Sequence, residues 1–285
     1  MAVQQALVSG SLSRRGLVTT LFLLGVVNGS IADVVRSIVI KGIWAAAFDT
    51  FDVSVVVVMA SVIATRFLLG TSDRDIDHTD WVVIALCVLL LLIPHRAGSW
   101  IGVTLLALYE VARGPRTTNS LAAASIFLAI AVNKFWGAFL LQLFAAPLFE
   151  IDAAMATAAL TLMIGADVVR EGNVIHAGPD LALVVATGCS SVAGMSAALL
   201  CWITMTRALH PRWRRSELPA AVFVCVGVVG LNVFRMAMMG LGPQWFYLVH
   251  GPIGANVFNV ALLAVAAATA LYTAKSTNAQ PPPAA

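Results

Sequence analysis

Hydrophobic residues in this chain are concentrated in long runs that short polar segments separate. A membrane-spanning helix needs about 20 apolar residues, because each residue adds about 1.5 Å and the hydrocarbon core is about 30 Å thick. The pattern therefore predicts an all-α polytopic transmembrane helical bundle of about 8 spans. The predicted spans lie near residues 52–70, 81–94, 97–112, 120–143, 152–169, 183–206, 218–241 and 250–273.

The first fifty residues have a mixed pattern. A basic pair, Arg14-Arg15, precedes the apolar run Leu17–Val27. This arrangement is typical of a first helix that serves as an uncleaved insertion signal or, alternatively, of a cleaved secretory signal. Residues 29–48 carry charged side chains among apolar ones and predict either an interfacial amphipathic helix or a further span. The expected total is therefore 8–9 spans.

Composition agrees with a protein that is embedded in a membrane. Of the 285 residues, 60% are hydrophobic and only 11% are charged, whereas a soluble domain carries about a quarter charged residues. The net charge of +3 comes largely from loop arginines, and no basic stripe with interleaved aromatic residues is present in the sequence. We therefore expect the protein to contact membrane lipids and not to bind nucleic acid.

Charged loops predict which membrane face each span end reaches. The basic cluster Arg207–Arg215 is expected in the cytoplasm, since short basic loops stay there. Along a helix, Cys189 would lie about 27 Å from this cluster, and Arg235 about 25 Å from the start of the next span. His250 begins the last span. All three residues are thus expected near the extracytoplasmic face of the cytoplasmic membrane, with residues 274–285 inside.

Cys189 differs from the other three cysteines in its surroundings. Cys87, Cys201 and Cys225 fall within apolar stretches, where a thiol usually packs as a small hydrophobic group. Cys189 instead lies in Thr187-Gly-Cys-Ser-Ser191, a small polar segment at the outer end of a span. The positive end of a helix dipole favours the thiolate at such a position. None of the four cysteines has the spacing of a metal site.

Two further polar residues lie at the same predicted depth. An arginine inside a membrane helix costs about 2.5 kcal/mol or more, so Arg235 either reaches to the headgroups or serves as a fixed cation for an anion. Asn232 lies three residues earlier on the same helical face, where it would either orient Arg235 or supply a second donor. His250 follows an aromatic run, so it is either an interfacial residue or a proton carrier for the thiol.

These residues form an ordered set of motifs in the C-terminal half. The segment Arg170-Glu-Gly-Asn-Val-Ile-His176, then Cys189-Ser190, then Asn232-Val-Phe-Arg235, then His250 with Gly254, resembles the exosortase/archaeosortase family of membrane-embedded cysteine transpeptidases. The resemblance covers roughly residues 150–272.

That resemblance implies a set of roles. Cys189 would be the nucleophile, Arg235 the charge stabiliser and His250 the proton shuttle. The implied substrates are exported proteins that end in a short motif, a transmembrane helix and a basic tail, and the acceptor is a lipid in the archaeal case. We expect Asn232, Asn173 and Arg170 to contact substrate, and we expect no cofactor or metal.

The chain departs from the family pattern at Thr187 and Ser191, where a glutamate and a glycine are usual. Three alternatives therefore stay open: a transporter or channel that binds an anionic solute through Arg235, a non-catalytic binder of tail helices, and hydrolysis instead of transfer. The expected organisation is an N-terminal segment at 1–50, transmembrane helices at 51–149, a catalytic transmembrane region at 150–273 and a cytoplasmic tail at 274–285.

Overall fold

The computed structural model describes residues 13–48, 50–115, 117–165, 168–178, 181–215 and 217–278. The chain divides into two compact units, Met1–Ala131 and Val132–Ala285. All residues that the sequence singles out for chemistry belong to the second unit. The four-part organisation predicted from the sequence divides the chain by the role expected of each part, and it stays a prediction.

The first unit is built from six described helices. α1 packs against α5, α3 against α6, and α5 against α6. Phe22 of α1 stacks on Phe127 of α6, with ring centroids 4.2 Å apart. The helices are α1 (Arg14–Lys41), α2 (Ile43–Phe48), α3 (Val55–Leu69), α4 (His78–Leu92), α5 (Arg96–Arg113) and α6 (Thr118–Ala131), with a 3₁₀ turn at Thr50–Asp52.

A buried cluster of charges holds the start of α1. The Arg14 guanidinium donates to Asp80 of α4 at 2.8 Å and to Glu110 of α5, and all three residues are at most 3% exposed. Tyr109 donates a further hydrogen bond to Asp80 at 2.8 Å. Buried charges are tolerated when they are paired and hydrogen-bonded in this way.

The prediction for residues 29–48 is wrong in part. Arg14–Lys41 forms one continuous helix of 28 residues that is long and apolar enough to span a membrane, and Gly42, with φ of +78°, ends it. Charged residues beyond 29 had suggested a break. The structure instead places these charges on the exposed or half-exposed side of an unbroken helix.

The second unit combines helices with a small β-sheet. Its elements are a π-helical turn (Val132–Trp136), α7 (Gly137–Leu143), α8 (Ala145–Ile164), β1 (Val168–Glu171), β2 (Val174–Ala177), β3 (Ala182–Val184), a 3₁₀ turn (Thr187–Cys189), α9 (Ser191–Leu209), α10 (Glu217–Gly240), α11 (Pro243–His250) and α12 (Pro252–Asn278). The strands are antiparallel in the order β1-β2-β3. Ile175 of β2 lies opposite Arg170 of β1 and Leu183 of β3.

The all-α, polytopic class is confirmed, and the number of spans agrees approximately. Six described helices are long and apolar enough to cross a membrane, and two shorter apolar helices, Val55–Leu69 and His78–Leu92, coincide with predicted spans. The predicted span at 97–112 corresponds to α5, which carries the buried Glu110 and is not among the six. The six helices are Arg14–Lys41, Thr118–Leu143, Ala145–Ile164, Ser191–Leu209, Glu217–Gly240 and Pro252–Lys275.

Two span boundaries are corrected next to the site. The span predicted at 183–206 begins only at Ser191, because Ala182–Val184 pairs as a strand and residues 187–189 form a 3₁₀ turn. The span predicted at 152–169 is the helix Ala145–Ile164, which stops where Gly165 adopts φ of +95°. Residues 170–180, which lie between two predicted spans, contain part of β1 and the whole of β2.

Two apolar clusters fix the site in place. The first joins α9, α10 and α12 through Trp202, Val224, Ala266 and other small residues. The second packs the sheet against the helices, because Ile175 and Leu183 lie in one cluster with Met236 of α10 and Leu160 of α8. Burial of these side chains, worth about 1.5–3 kcal/mol each, makes the hairpin part of the core instead of a free loop.

Candidate functional site

Cys189 lies at the amino-terminal end of α9. It closes the 3₁₀ turn that follows β3, and its side chain is half-buried. Ser190 is the N-cap of α9, and its hydroxyl accepts the backbone N–H of Val192 at 3.4 Å. The unpaired N–H groups and the dipole of the following helix favour negative charge at this position. The sequence-based placement of Cys189 beside a helix start therefore agrees with the structure.

Asp152 accepts hydrogen bonds from the first residue of α9. The side chain projects from α8, is 2% exposed, and accepts both the backbone N–H of Ser191 at 3.1 Å and the Ser191 hydroxyl at 2.7 Å. A buried carboxylate in an apolar helix is costly unless it is hydrogen-bonded. The two bonds hold Ser191, the first residue of α9 and two positions after Cys189, against α8. Sequence reasoning missed Asp152, although an acidic side chain at the start of a predicted apolar span was the available signal.

The carboxylate of Asp152 gives a first prediction. We expect Asp152→Ala to lower the free energy of unfolding by about 1–3 kcal/mol, because two buried donors of Ser191 lose their acceptor. Asp152→Asn keeps an amide oxygen for the Ser191 N–H and should cost less. Thermal unfolding in detergent measures both, with Glu150→Ala, an exposed acid of the same helix, as the control. Unfolding of Asp152→Ala at the wild-type temperature would contradict this role.

Asn232 connects α10 to the turn that carries Cys189. The Asn232 amide donates to the backbone carbonyl of Cys189 at 2.8 Å. A side-chain bond to this carbonyl fixes the main chain at the nucleophile candidate. The interaction favours a positioning role for Asn232 over the substrate contact that the sequence predicted, and that contact stays a prediction.

Arg235 lies one turn further along α10. Its side chain is half-buried, and its Nε is fully buried without a hydrogen-bond partner among the described residues. The guanidinium carbon is 6.0 Å from the centre of the Phe258 ring of α12. No acidic side chain in the described ranges forms an ion pair with it. A cation in an apolar helix that has no acidic partner is suited to binding an anionic oxygen.

His250 is the last residue of α11. The imidazole is exposed and stacks on Phe246, with ring centroids 5.0 Å apart and planes 15° from parallel. α12 begins two residues later, and this tight junction explains Gly254: a Cβ there would collide with the backbone carbonyls of Leu248 and Val249. The glycine that accompanies His250 in the motif is therefore required by close main-chain packing.

One cavity brings Cys189 and His250 together. Its volume is about 250 Å³, and the remaining walls are almost entirely apolar. The lining residues are Ile175, Ala182, Leu183, Val184, Val185, Cys189, Met236, Met239, Phe246 and His250. Arg235 and Asn232 are absent from the lining that these described residues form. Arg235 directly precedes Met236, which does line the cavity. α10 therefore carries both the arginine and part of the cavity wall.

The two predicted hairpin contacts have other bonds in the structure. Asn173 lies in the β1–β2 turn and donates to the backbone carbonyl of Val185 at 2.8 Å, which closes the sheet. Arg170 is exposed at the end of β1 and donates to the carbonyl of Gly172 at 2.7 Å. Neither side chain lines the described part of the Cys189 cavity. Their contacts with substrate stay predictions.

Other parts of the described chain offer fewer reactive groups. An apolar groove of about 640 Å³ in the first unit is lined by valines and other side chains of α1 and α3, and Arg66 is its single charged lining residue. No group of three His, Cys, Asp or Glu side chains within the described ranges is arranged to hold a metal ion. The cavity at Cys189 is therefore the best candidate for an active site.

Comparison with known proteins identifies one family. A family model described as transmembrane exosortase matches residues 48–267. Neither the curated proteins nor the solved structures contain a match to the chain. The matched range includes Asp152, Cys189, Asn232, Arg235 and His250.

Proposed function

Because the chain belongs to the transmembrane exosortase family, we propose that it cleaves the C-terminal sorting signals of exported proteins through Cys189, Arg235 and His250. Members of this family are membrane-embedded sorting transpeptidases that depend on a cysteine. The chain is a multi-pass membrane protein. Its placement in the cytoplasmic membrane, with the site on the extracytoplasmic side, is part of the proposal and rests on the basic loop Arg207–Arg215.

The observation that carries the proposal is the cavity shared by Cys189 and His250. A thiol is the nucleophile of acyl transfer only as a thiolate, so a base must be able to reach it. His250 is the titratable side chain that lines the same cavity, and imidazole is the usual partner of a catalytic cysteine.

The chemistry follows in four steps. His250 takes the proton from the Cys189 Sγ, and the thiolate attacks the carbonyl carbon of the scissile peptide bond. Negative charge that develops on the carbonyl oxygen is stabilised by the guanidinium of Arg235. Collapse of the tetrahedral intermediate breaks the C–N bond, and His250 returns the proton to the leaving amine of the tail. The remaining protein is then a thioester of Cys189.

An acceptor completes the reaction. An amine, for example that of a lipid headgroup, attacks the thioester and regenerates the thiol, which gives transfer; attack by water gives hydrolysis. The substrates in this proposal are exported proteins with a motif, a transmembrane helix and a basic tail. Asn232 acts here as a positioning residue, because its amide bonds to the Cys189 carbonyl instead of reaching into the cavity.

Co-expression with a tail-bearing exported protein tests the proposal. We expect the intact mass of the substrate, purified from membranes, to decrease by the mass of the tail only when this protein is present. Added mass on the new C-terminus identifies the acceptor, and a gain of one water identifies hydrolysis. A substrate that keeps its tail, or that loses it equally in cells without this protein, contradicts cleavage.

A further inference from the structure

β3 is an edge strand of the three-stranded sheet. Its partner β2 occupies one side, and no described strand pairs with the other side. We propose that this free edge binds the extended segment of the substrate that contains the scissile bond, by adding it as a further strand. This inference rests on the proposed function, since it names the surface that presents the substrate to Cys189.

The pairing register identifies which backbone groups are free. The Val185 N–H donates to the carbonyl of Asn173 at 2.9 Å, so this residue points its polar groups toward the β2 side. In an antiparallel ladder, alternate residues point their N–H and C=O to opposite sides. Ala182 and Val184 therefore direct theirs away from β2, and both residues are exposed. An unpaired edge of this kind is a template for another strand.

The free edge borders the proposed active site. Ala182 and Val184 line the same cavity as Cys189 and His250. Between them, Leu183 is 7% exposed and packs into the apolar core, which holds the strand in place. A peptide bonded to this edge is therefore held beside the cavity that contains the Cys189 thiol.

The edge also defines the chemistry of its ligand. Only an extended chain has free N–H and C=O groups at every second residue; a helix has already used its own. The bound segment is therefore the non-helical part of the sorting signal, before its transmembrane helix begins. Side chains that point into the cavity meet Met236, Met239 and Phe246, so uncharged side chains are preferred there.

Disulfide trapping tests binding without turnover. In a Cys189→Ala protein, Val184→Cys is combined with single cysteines placed at successive positions of the sorting motif. We expect trapping to be strong at alternate substrate positions, because strand side chains have a period of two. Trapping without that period, or no trapping above the level of the same protein with Val184 unchanged, overturns the proposal.

A proline variant tests the backbone donor itself. Val184→Pro removes the N–H that points away from β2 and leaves the bonds to β2 intact. We expect tail release to slow by about 2- to 10-fold, the equivalent of one hydrogen bond, and Val184→Ala, which keeps the donor, to slow it less. Val168→Pro, at the first position of β1 away from the cavity, is the control for folding. Equal rates for Val184→Pro and Val184→Ala overturn the proposal.

Trapping at Val184→Cys, compared with tail release by the wild-type and Cys189→Ala proteins, separates this inference from the proposed function. Alternating trapping together with Cys189-independent cleavage would support the edge and reject the nucleophile. Cys189-dependent cleavage without alternating trapping would reject the edge and leave the nucleophile in place.

Discussion

Alanine in place of Cys189 is expected to lower the rate of tail release by at least about 10⁴-fold, which places it below detection in cells. Removal of a nucleophile from an acyl-transfer site has effects of this size, because no other group can form the covalent intermediate. The measurement is the intact mass of a co-expressed substrate at several times after induction. The thioester, trapped by acid quenching, should also disappear.

Cys201→Ala is the matched control for this substitution. Cys201 lies on the same helix, α9, and packs beside the apolar cluster of α9, α10 and α12. Its thiol plays no part in the proposed reaction, so the variant should release the tail at the wild-type rate. Equal processing by Cys189→Ala and the wild type would reject the nucleophile and favour a transporter or another protein as the source of cleavage.

Substitution of Arg235 by glutamine is expected to lower kcat by about 10²- to 10³-fold, the usual effect of losing one oxyanion donor. The guanidinium forms no ion pair with an acidic side chain of the described residues, so its charge is not already neutralised within the protein. Arg235→Lys keeps the charge but loses the planar arrangement of donors, and we expect an intermediate rate. The assay is tail release over a range of substrate concentrations.

The division of the effect between kcat and KM decides what Arg235 does. A stabiliser of the oxyanion acts in the transition state, so KM should change little. A rise in KM with unchanged kcat would show that Arg235 binds a carboxylate of the substrate in its ground state instead. Arg66→Gln, which removes an exposed arginine of the first unit, controls for the loss of one positive charge in a membrane helix.

Much of the helical architecture could be predicted from the sequence, because apolar runs report directly on membrane burial. Glu217–Gly240 agrees with its predicted span almost to the residue. Residues 183–186 were wrongly assigned to a span because a short, wholly apolar segment has the same pattern in a strand and in a buried helix. Only its pairing with β2 resolves the difference.

The candidate site was predictable where one residue carries its own local signal. Cys189 stood out because small polar residues surround it, and Arg235 because a charge within an apolar run is unusual. Asp152 had a weaker signal, and its partner Ser191 lies far along the chain. The free edge of β3 has no sequence signature at all, since its donors and acceptors are backbone groups.

The buried position of Arg14 constrains how the protein is made. Asp80 and Glu110 are synthesised long after Arg14, so the first helix enters the membrane before its counter-charges exist. A signal-peptidase cut within α1 would separate the guanidinium from two carboxylates that are at most 2% exposed. Loss of one partner from a buried pair costs about 3–5 kcal/mol. The ion pairs therefore favour a first helix that stays attached to the protein over a signal that is cleaved.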